Sequence, residues 1–169
     1  MNKLLLQAIF SGGFFIFGIY YILVFFQQRR NYTALVFSLL CILTAIRMPI
    51  WGDAMVEALF PHMSYQIRAF LNYLTAYNLV PLMLLFVLSF YPGSYKKKLS
   101  LIVLAPSLFM NMLLLTSMSF ASYFTNFAYL IMLVQMLYLL LISMKAVVLK
   151  LEDAKIVYVA ACIYVFYSS

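Results

Sequence analysis

Long apolar runs without a charged residue recur along this chain of 169 residues, and they leave few folds open to it. The first run, Leu4–Phe26, ends at a polar stretch that begins with Gln27. An α-helix rises about 1.5 Å per residue, so about 20 apolar residues cross the hydrocarbon core of a bilayer. A run of this length therefore predicts a transmembrane helix.

Five further runs predict helices of the same kind. The predicted spans are residues 4–26, 32–48, 67–90, 99–116, 123–144 and 156–169. We therefore predict an all-α, polytopic transmembrane helix bundle with five full spans and a partial sixth, forming a single transmembrane domain without a soluble domain. A helix that ended inside hydrocarbon would leave carbonyl groups unpaired, so we expect the chain to be a fragment of a longer protein.

The composition supports a bilayer as the solvent of this protein. Hydrophobic residues make up 67% of the chain and charged residues 9%, whereas soluble domains are about half apolar and a quarter charged. A soluble enzyme, a disordered tail and a nucleic-acid-binding protein are excluded on this basis. Lys3 precedes the first run, as in a signal peptide, but the run is longer than a signal peptide requires and no small-residue cleavage site follows it.

Positive residues alternate between the two sides of the predicted bundle. The first, third and fifth connections carry most of the 11 lysines and arginines, namely Arg29, Arg30, Lys96, Lys97, Lys98, Lys145, Lys150 and Lys155. The fourth connection, residues 117–122, has no charge. Short cytoplasmic loops are enriched in lysine and arginine. We therefore expect a multi-pass protein of the inner (plasma) membrane with its N-terminus outside.

The outer connection between the second and third spans holds the most informative polar residues. Asp53 is a candidate N-cap for a short interfacial helix that Pro61 limits, and Asp53 and Glu57 share one face of it. Arg47 and Arg68 flank this connection, and an arginine at membrane depth normally finds a carboxylate or a wet cavity.

We expect these residues to form an outer polar cluster, hereafter the outer cluster. Its members are Arg47, Trp51, Asp53, Glu57, His62, Arg68 and Asn72. One interpretation is a structural clamp that holds the short helix against the bundle, with the arginines reaching towards water. The other interpretation is a ligand site, because charged residues within a membrane are commonly functional.

Catalytic and cofactor chemistry find no support in the sequence. A single histidine and two cysteines, Cys41 and Cys162, supply no zinc or haem ligand set, so no cofactor is expected. Both cysteines are interpreted as small apolar packing residues.

We expect interhelical hydrogen bonds from polar residues at depth, and close helix approach at glycines of the first span. The polar residues are Thr44, Asn78, Asn111 and Gln135. The glycines are Gly12, Gly13 and Gly18.

Three stretches resemble a known family. They are GIYYILVFFQQRRNYTALVF at residues 18–37, LLCILTAIR at 39–47 followed by Trp51-Gly52, and YLTAYNLVPL at 73–82 followed by Tyr91-Pro92. This pattern resembles bacterial seven-transmembrane receptors with diverse intracellular signalling modules. The resemblance covers residues 14–92 well, and it extends over the remainder only by span number and orientation.

The resemblance implies an outside N-terminus, seven spans and a cytoplasmic output module such as a histidine kinase, a diguanylate cyclase or a phosphatase. Many members also carry an extracellular carbohydrate-binding-like domain before the first span. This sequence begins at the first span and stops in the sixth. Sensing by these residues would therefore use the outer ends of the spans, and any catalytic module would lie beyond Ser169.

Two functions from different classes remain open on the sequence. The first is the membrane-embedded sensor region of a signal-transduction receptor, with a cytoplasmic signalling module and a second copy of the chain as candidate partners. The alternative is a small-molecule transporter or a membrane accessory protein, which the lack of a carboxylate at mid-membrane disfavours. A cyclase or kinase coding region in frame after Ser169 would favour the first.

Overall fold

The chain forms α-helices throughout the part that the computed structural model describes, which is residues 3–28, 31–51, 62–91, 97–116, 122–151 and 154–168. Six helices lie within these ranges, and none of the described residues is in a strand. They are α1 (Lys3–Gln27), α2 (Tyr32–Trp51), α3 (Tyr65–Phe90), α4 (Lys97–Thr116), α5 (Thr125–Val148) and α6 (Ala154–Ser168). The all-α prediction is confirmed.

Five of these helices are long and apolar enough to cross a membrane. The candidate spans are Leu5–Gln27, Tyr32–Ile50, Tyr65–Phe90, Lys98–Thr116 and Thr125–Val148. The protein is therefore a multi-pass membrane protein, and its helices lie in a lipid bilayer. The described part of α6 has 15 residues, fewer than the roughly 20 that a full crossing needs. The interfacial helix expected between the second and third spans falls outside the described residues.

Helix α3 lies at the centre of the bundle and contacts α2, α4 and α5. Helix α1 packs on α2 at one side, and α6 packs on α5 at the other. Large apolar side chains on the outside of the bundle are exposed, for example Ile16, Leu101 and Leu115 at 69%, 70% and 70%. Such exposure would cost free energy in water, but it suits helices that are surrounded by lipid.

Two apolar clusters stabilise the inside of the bundle. One joins α3, α4 and α5 near the N-terminal end of α3, and its buried members are Tyr77, Met110, Leu114, Ala128 and Ile131. The other joins the C-terminal half of α3 to α5 and α6, and its buried members are Leu84, Val87, Leu88, Tyr91, Leu139, Ile142, Ala146, Ala154 and Ala161. The three alanines bring α5 and α6 close together, as small residues do at helix interfaces in membranes.

Gly18 lies where α1 and α2 approach each other closely. A Cβ atom at Gly18 would lie 2.6 Å from Cγ1 of Ile42 and 3.3 Å from the carbonyl oxygen of Ser38. At Gly12 and Gly13 an added Cβ would have no neighbour within 4 Å. The expectation that all three glycines permit close packing is thus wrong for Gly12 and Gly13, because a side chain at either position would point into space that no described residue fills.

Helix α2 continues through Pro49 to Trp51, three residues beyond the predicted end at Met48. Proline has no N–H group, so the carbonyl of Ala45 loses its donor four residues on. The hydroxyl of Ser11 on α1 donates to that carbonyl at 2.8 Å. A neighbouring helix therefore satisfies the freed backbone group, which is how a membrane helix tolerates an internal proline.

We expect Gly18→Ala to destabilise the protein by about 1–3 kcal/mol, because the new methyl group would displace Ile42 and approach the backbone of α2. The measurement is thermal unfolding in a neutral detergent. Gly13→Ala is the matched control, and it should leave stability unchanged or raise it by up to about 1 kcal/mol through better helix propensity. Equal effects at the two positions would contradict the packing described here.

Candidate functional site

Arg47 of α2 reaches across to α3. Its Nη1 donates to Oγ1 of Thr75 at 3.5 Å, a long hydrogen bond. Thr75 is fully buried, and its hydroxyl lies 2.8 Å from the carbonyl of Leu71 and 3.0 Å from that of Asn72. The positive charge of Arg47 is thus held against the polar face of α3 and is half-buried.

Three other members of the outer cluster lie at the start of α3. Ser64 caps this helix, because its hydroxyl accepts a hydrogen bond from the backbone N–H of Ile67 at 3.4 Å. His62 and Asn72 are exposed, and Arg68 is half-buried. Residues 68, 72 and 75 are spaced i, i+4, i+7, so they lie on successive turns of one helix face. Arg47 contacts the buried end of that face.

The remaining members of the outer cluster fall outside what the structure describes. Asp53 and Glu57 lie in the range 52–61, and of Trp51 only the helical backbone is described. The pairing of Arg47 with these carboxylates therefore stays a prediction.

A second set of polar groups lies deeper in the bundle and joins α3 to α4. The Nδ2 of Asn78 donates to Oδ1 of Asn111 at 2.7 Å, and the Nδ2 of Asn111 donates to Oδ1 of Asn78 at 2.9 Å. Each amide also donates to a carbonyl of its own helix, that of Leu74 or Ser107. All four amide atoms are thus paired, which makes this contact specific in register.

Gln135 of α5 continues this set towards the other end of α4. Its Nε2 donates to the hydroxyl of Ser107 at 2.6 Å and to the carbonyl of Val103 at 2.9 Å. Ser107 directly follows Pro106, which lies inside α4 and leaves the carbonyl of Ile102 without its backbone donor. Gln135 therefore pairs with α4 close to this proline, but not at the carbonyl that the proline frees.

We name these groups the polar seam. Its members are Thr75, Asn78, Asn111, Ser107, Gln135, Ser100 and Tyr138, the last two of which share a hydrogen bond at 3.0 Å. From Ser100 to Asn111 it extends roughly 16 Å along α4, about half the hydrocarbon thickness. Arg47 donates to Thr75, a member of the polar seam.

One atom of the polar seam lacks a hydrogen bond. Gln135 is fully buried, and its Oε1 has no partner among the described residues. A buried acceptor without a donor costs about 1–3 kcal/mol relative to a satisfied one. The observed packing therefore carries this cost in free energy, and a different arrangement of α4 and α5 could remove it.

The sequence anticipated part of this arrangement. Interhelical hydrogen bonds from Asn78, Asn111 and Gln135 are confirmed. The same expectation is wrong for Thr44, whose hydroxyl donates to the carbonyl of Leu40 within α2. A threonine hydroxyl reaches the carbonyl four residues earlier without any partner helix.

Sequence reasoning missed four residues of the site, namely Thr75, Ser107, Ser100 and Tyr138. Thr75 could have been found from its spacing of seven residues after Arg68. Ser107 could have been found from its place directly after Pro106 and four residues before Asn111. No local signal marks the pairing of Ser100 with Tyr138.

The described part of the chain contains no site for metal or thiol chemistry. No group of three histidine, cysteine, aspartate or glutamate residues comes together there. Cys41 is a buried free thiol, and Cys162 is a half-buried one. The arrangement can bind and orient polar groups and can change its hydrogen bonding, but it presents no nucleophile paired with a base.

Comparison with family models gives one match, which covers residues 3–169 and is described as 7TM diverse intracellular signalling. The chain belongs to this 7TM diverse intracellular signalling family. No curated protein matches the chain, and no solved structure does. The match confirms the resemblance seen in the sequence. The domain of this family is a membrane sensor region of signalling receptors and is not catalytic.

For the outer cluster of this 7TM signalling domain, we expect Arg47→Ala to destabilise the protein by about 1–3 kcal/mol. The loss would arise because Arg47 is half-buried and its partners would be left unpaired. Thermal unfolding in detergent measures it.

A double-mutant cycle with Asp53→Asn and with Glu57→Gln tests the predicted ion pair. Exchange of the two charges should restore part of the stability if the pair forms. His62→Gln, at an exposed position of the same connection, is the control and should change stability by less than about 0.5 kcal/mol. Zero coupling with both acids would contradict the clamp.

Proposed function

We propose that this chain is the membrane-embedded sensor region of a bacterial signal-transduction receptor. It receives a stimulus at the outer ends of its helices and passes it to a cytoplasmic output module. The family match over residues 3–169 carries this proposal. The proposed location is the inner membrane, with the N-terminus outside. The proposed partners are a cytoplasmic signalling module and a second copy of the chain.

The outer cluster is the proposed place of stimulus reception. Arg47 supports this role because it is a half-buried charge that holds α2 against α3 through Thr75. An anionic ligand, or a change in the pairing of Arg47, would alter that contact directly. Small displacements of packed helices, of about 1–2 Å, are a common form of transmitted signal.

The polar seam is the proposed path from the outer cluster towards the cytoplasmic end. Hydrogen bonds between membrane helices are worth on average about 0.6 kcal/mol each, so they can be exchanged at low cost. The unpaired Oε1 of Gln135 supports a second arrangement, because a shift of α5 that supplied a donor would recover the cost of the buried acceptor. Two packings of similar free energy are what a switch requires.

The orientation is tested by reporter fusions in the native membrane. Fusions after Arg30, Lys98 and Lys150 should report a cytoplasmic location, and fusions after Glu57 and Phe120 an external one. The reason is the excess of lysine and arginine in the odd-numbered connections. A cytoplasmic signal at Glu57 would reverse the topology and remove the outer cluster as a site for external stimuli.

The switch is tested with Gln135→Leu in the full-length receptor. This change removes the unpaired oxygen together with two donated hydrogen bonds, so we expect the melting temperature to change little. We expect the basal output to change by at least about fivefold, because the balance between the two packings is altered. Output is measured as autophosphorylation, cyclic dinucleotide formation or phosphate release, according to the module.

Asn126→Leu is the control for this experiment, since Asn126 is an exposed amide on the same helix. Its output should stay within about twofold of the unmodified receptor, as for a surface change away from the packed core. An unchanged output in Gln135→Leu would remove the polar seam as the path, and a full-length protein without an output module would overturn the receptor function.

A further inference from the structure

A groove of about 580 Å³ lies between the end of α5 and the start of α6. Its described lining consists of Val147, Lys150, Leu151, Ala154, Lys155 and Ile156. Two lysines and four apolar residues thus line one groove. Lys150 and Lys155 are both exposed, and Ile156 on the apolar wall is 69% exposed.

The turn that places Lys150 at the groove is well defined. The N–H of Leu151 donates to the carbonyl of Ala146 at 3.2 Å, and the N–H of Lys150 donates to that of Val147 at 3.0 Å. These two bonds form a Schellman motif, which ends a helix with one residue in the left-handed conformation. Lys150 has that conformation, with a φ of 53°. Glycine is the usual residue at this position because it adopts a positive φ without strain.

The groove lies at the end of a candidate span. The fifth candidate span ends at Val148, two residues before Lys150. A residue at this place lies near the level of the lipid headgroups when the span crosses the bilayer. At this depth a phospholipid presents its phosphate group, and its acyl chains begin directly below. Lysine side chains near a membrane surface attract anionic headgroups. The described lining of the groove, two lysines and four apolar residues, is complementary to that molecule.

We propose that this groove binds one anionic phospholipid, with the phosphate held between Lys150 and Lys155 and an acyl chain lying along Val147 and Ile156. This site is independent of the proposed function, because it needs neither an output module nor a stimulus. A bound lipid of this one class would hold the connection between α5 and α6 at the membrane surface.

The experiment is native mass spectrometry of the purified chain in a neutral detergent, with phosphatidylglycerol added at increasing concentration. One phosphatidylglycerol should be retained per chain, and phosphatidylcholine should be retained at least about fivefold more weakly. The measurements are made at 0.3 M ammonium acetate, about twice physiological ionic strength, so that attraction to distant charges is largely screened. Inorganic phosphate at the same concentrations should not displace the lipid.

The decisive variants are Lys150→Gly and Lys155→Gln. Glycine at position 150 keeps the Schellman motif and removes the strain, so the melting temperature should be unchanged or higher. Retention of phosphatidylglycerol should nevertheless fall by at least about fivefold in each variant. Lys145→Gln is the matched control, because Lys145 is an exposed lysine in the last turn of α5 that is not among the groove residues. Its lipid retention should stay within about twofold, because Lys145 does not line the groove.

Each other outcome overturns the proposal. An equal loss in Lys145→Gln would show a general attraction of the basic loop to anionic surfaces. Displacement by inorganic phosphate would show a site for a free anion. Unchanged retention in Lys150→Gly and Lys155→Gln would show that these lysines bind another group, such as the carboxylates of Glu152 and Asp153 in the same connection or a second copy of the chain.

Discussion

Backbone groups in hydrocarbon must find hydrogen-bond partners within the protein, and much of this structure follows from that requirement. Regular helices satisfy it along most of the described chain. Where Pro49 interrupts α2, a neighbouring helix supplies the missing donor, because Ser11 of α1 donates to the carbonyl of Ala45. Gln135 of α5 donates to Val103 and Ser107 of α4 and so joins these two helices. Polar side chains at these interfaces therefore position whole helices, and their removal would affect more than a single contact.

The same requirement explains how polar side chains are retained in an apolar bundle. A charged or amide side chain at depth is costly unless it is paired. Arg47 is held at Thr75, and Asn78 and Asn111 pair with each other through all their amide atoms. Gln135 is satisfied only on its donor side. The polar seam thus combines a rigid element with one that has an unused acceptor, which is consistent with a sensor domain that changes its packing.

The helical fold and its five spans could be predicted because hydrophobic length is a local property of the sequence. Helix ends were less predictable: Pro49 suggested that α2 ends at Met48, yet the helix continues to Trp51 because Ser11 compensates for the proline. Arg47 was singled out from its charge at depth, and the structure places it against α3. Its partner Thr75 was missed, although it lies on the same helix face as Arg68, because spacing alone does not say which neighbouring helix a threonine meets.

The sequence by itself determined the solvent, the number of long spans and the family, since apolar run length, composition and residue pattern need no knowledge of which helices meet. Only the tertiary structure decided that Gly18, and not Gly12 or Gly13, is the point of close approach. It also decided that Lys150 and Lys155 line one groove. The reason is physical: burial and contact depend on the rotation of each helix about its own axis, and that rotation is fixed by packing against neighbours that are distant in sequence.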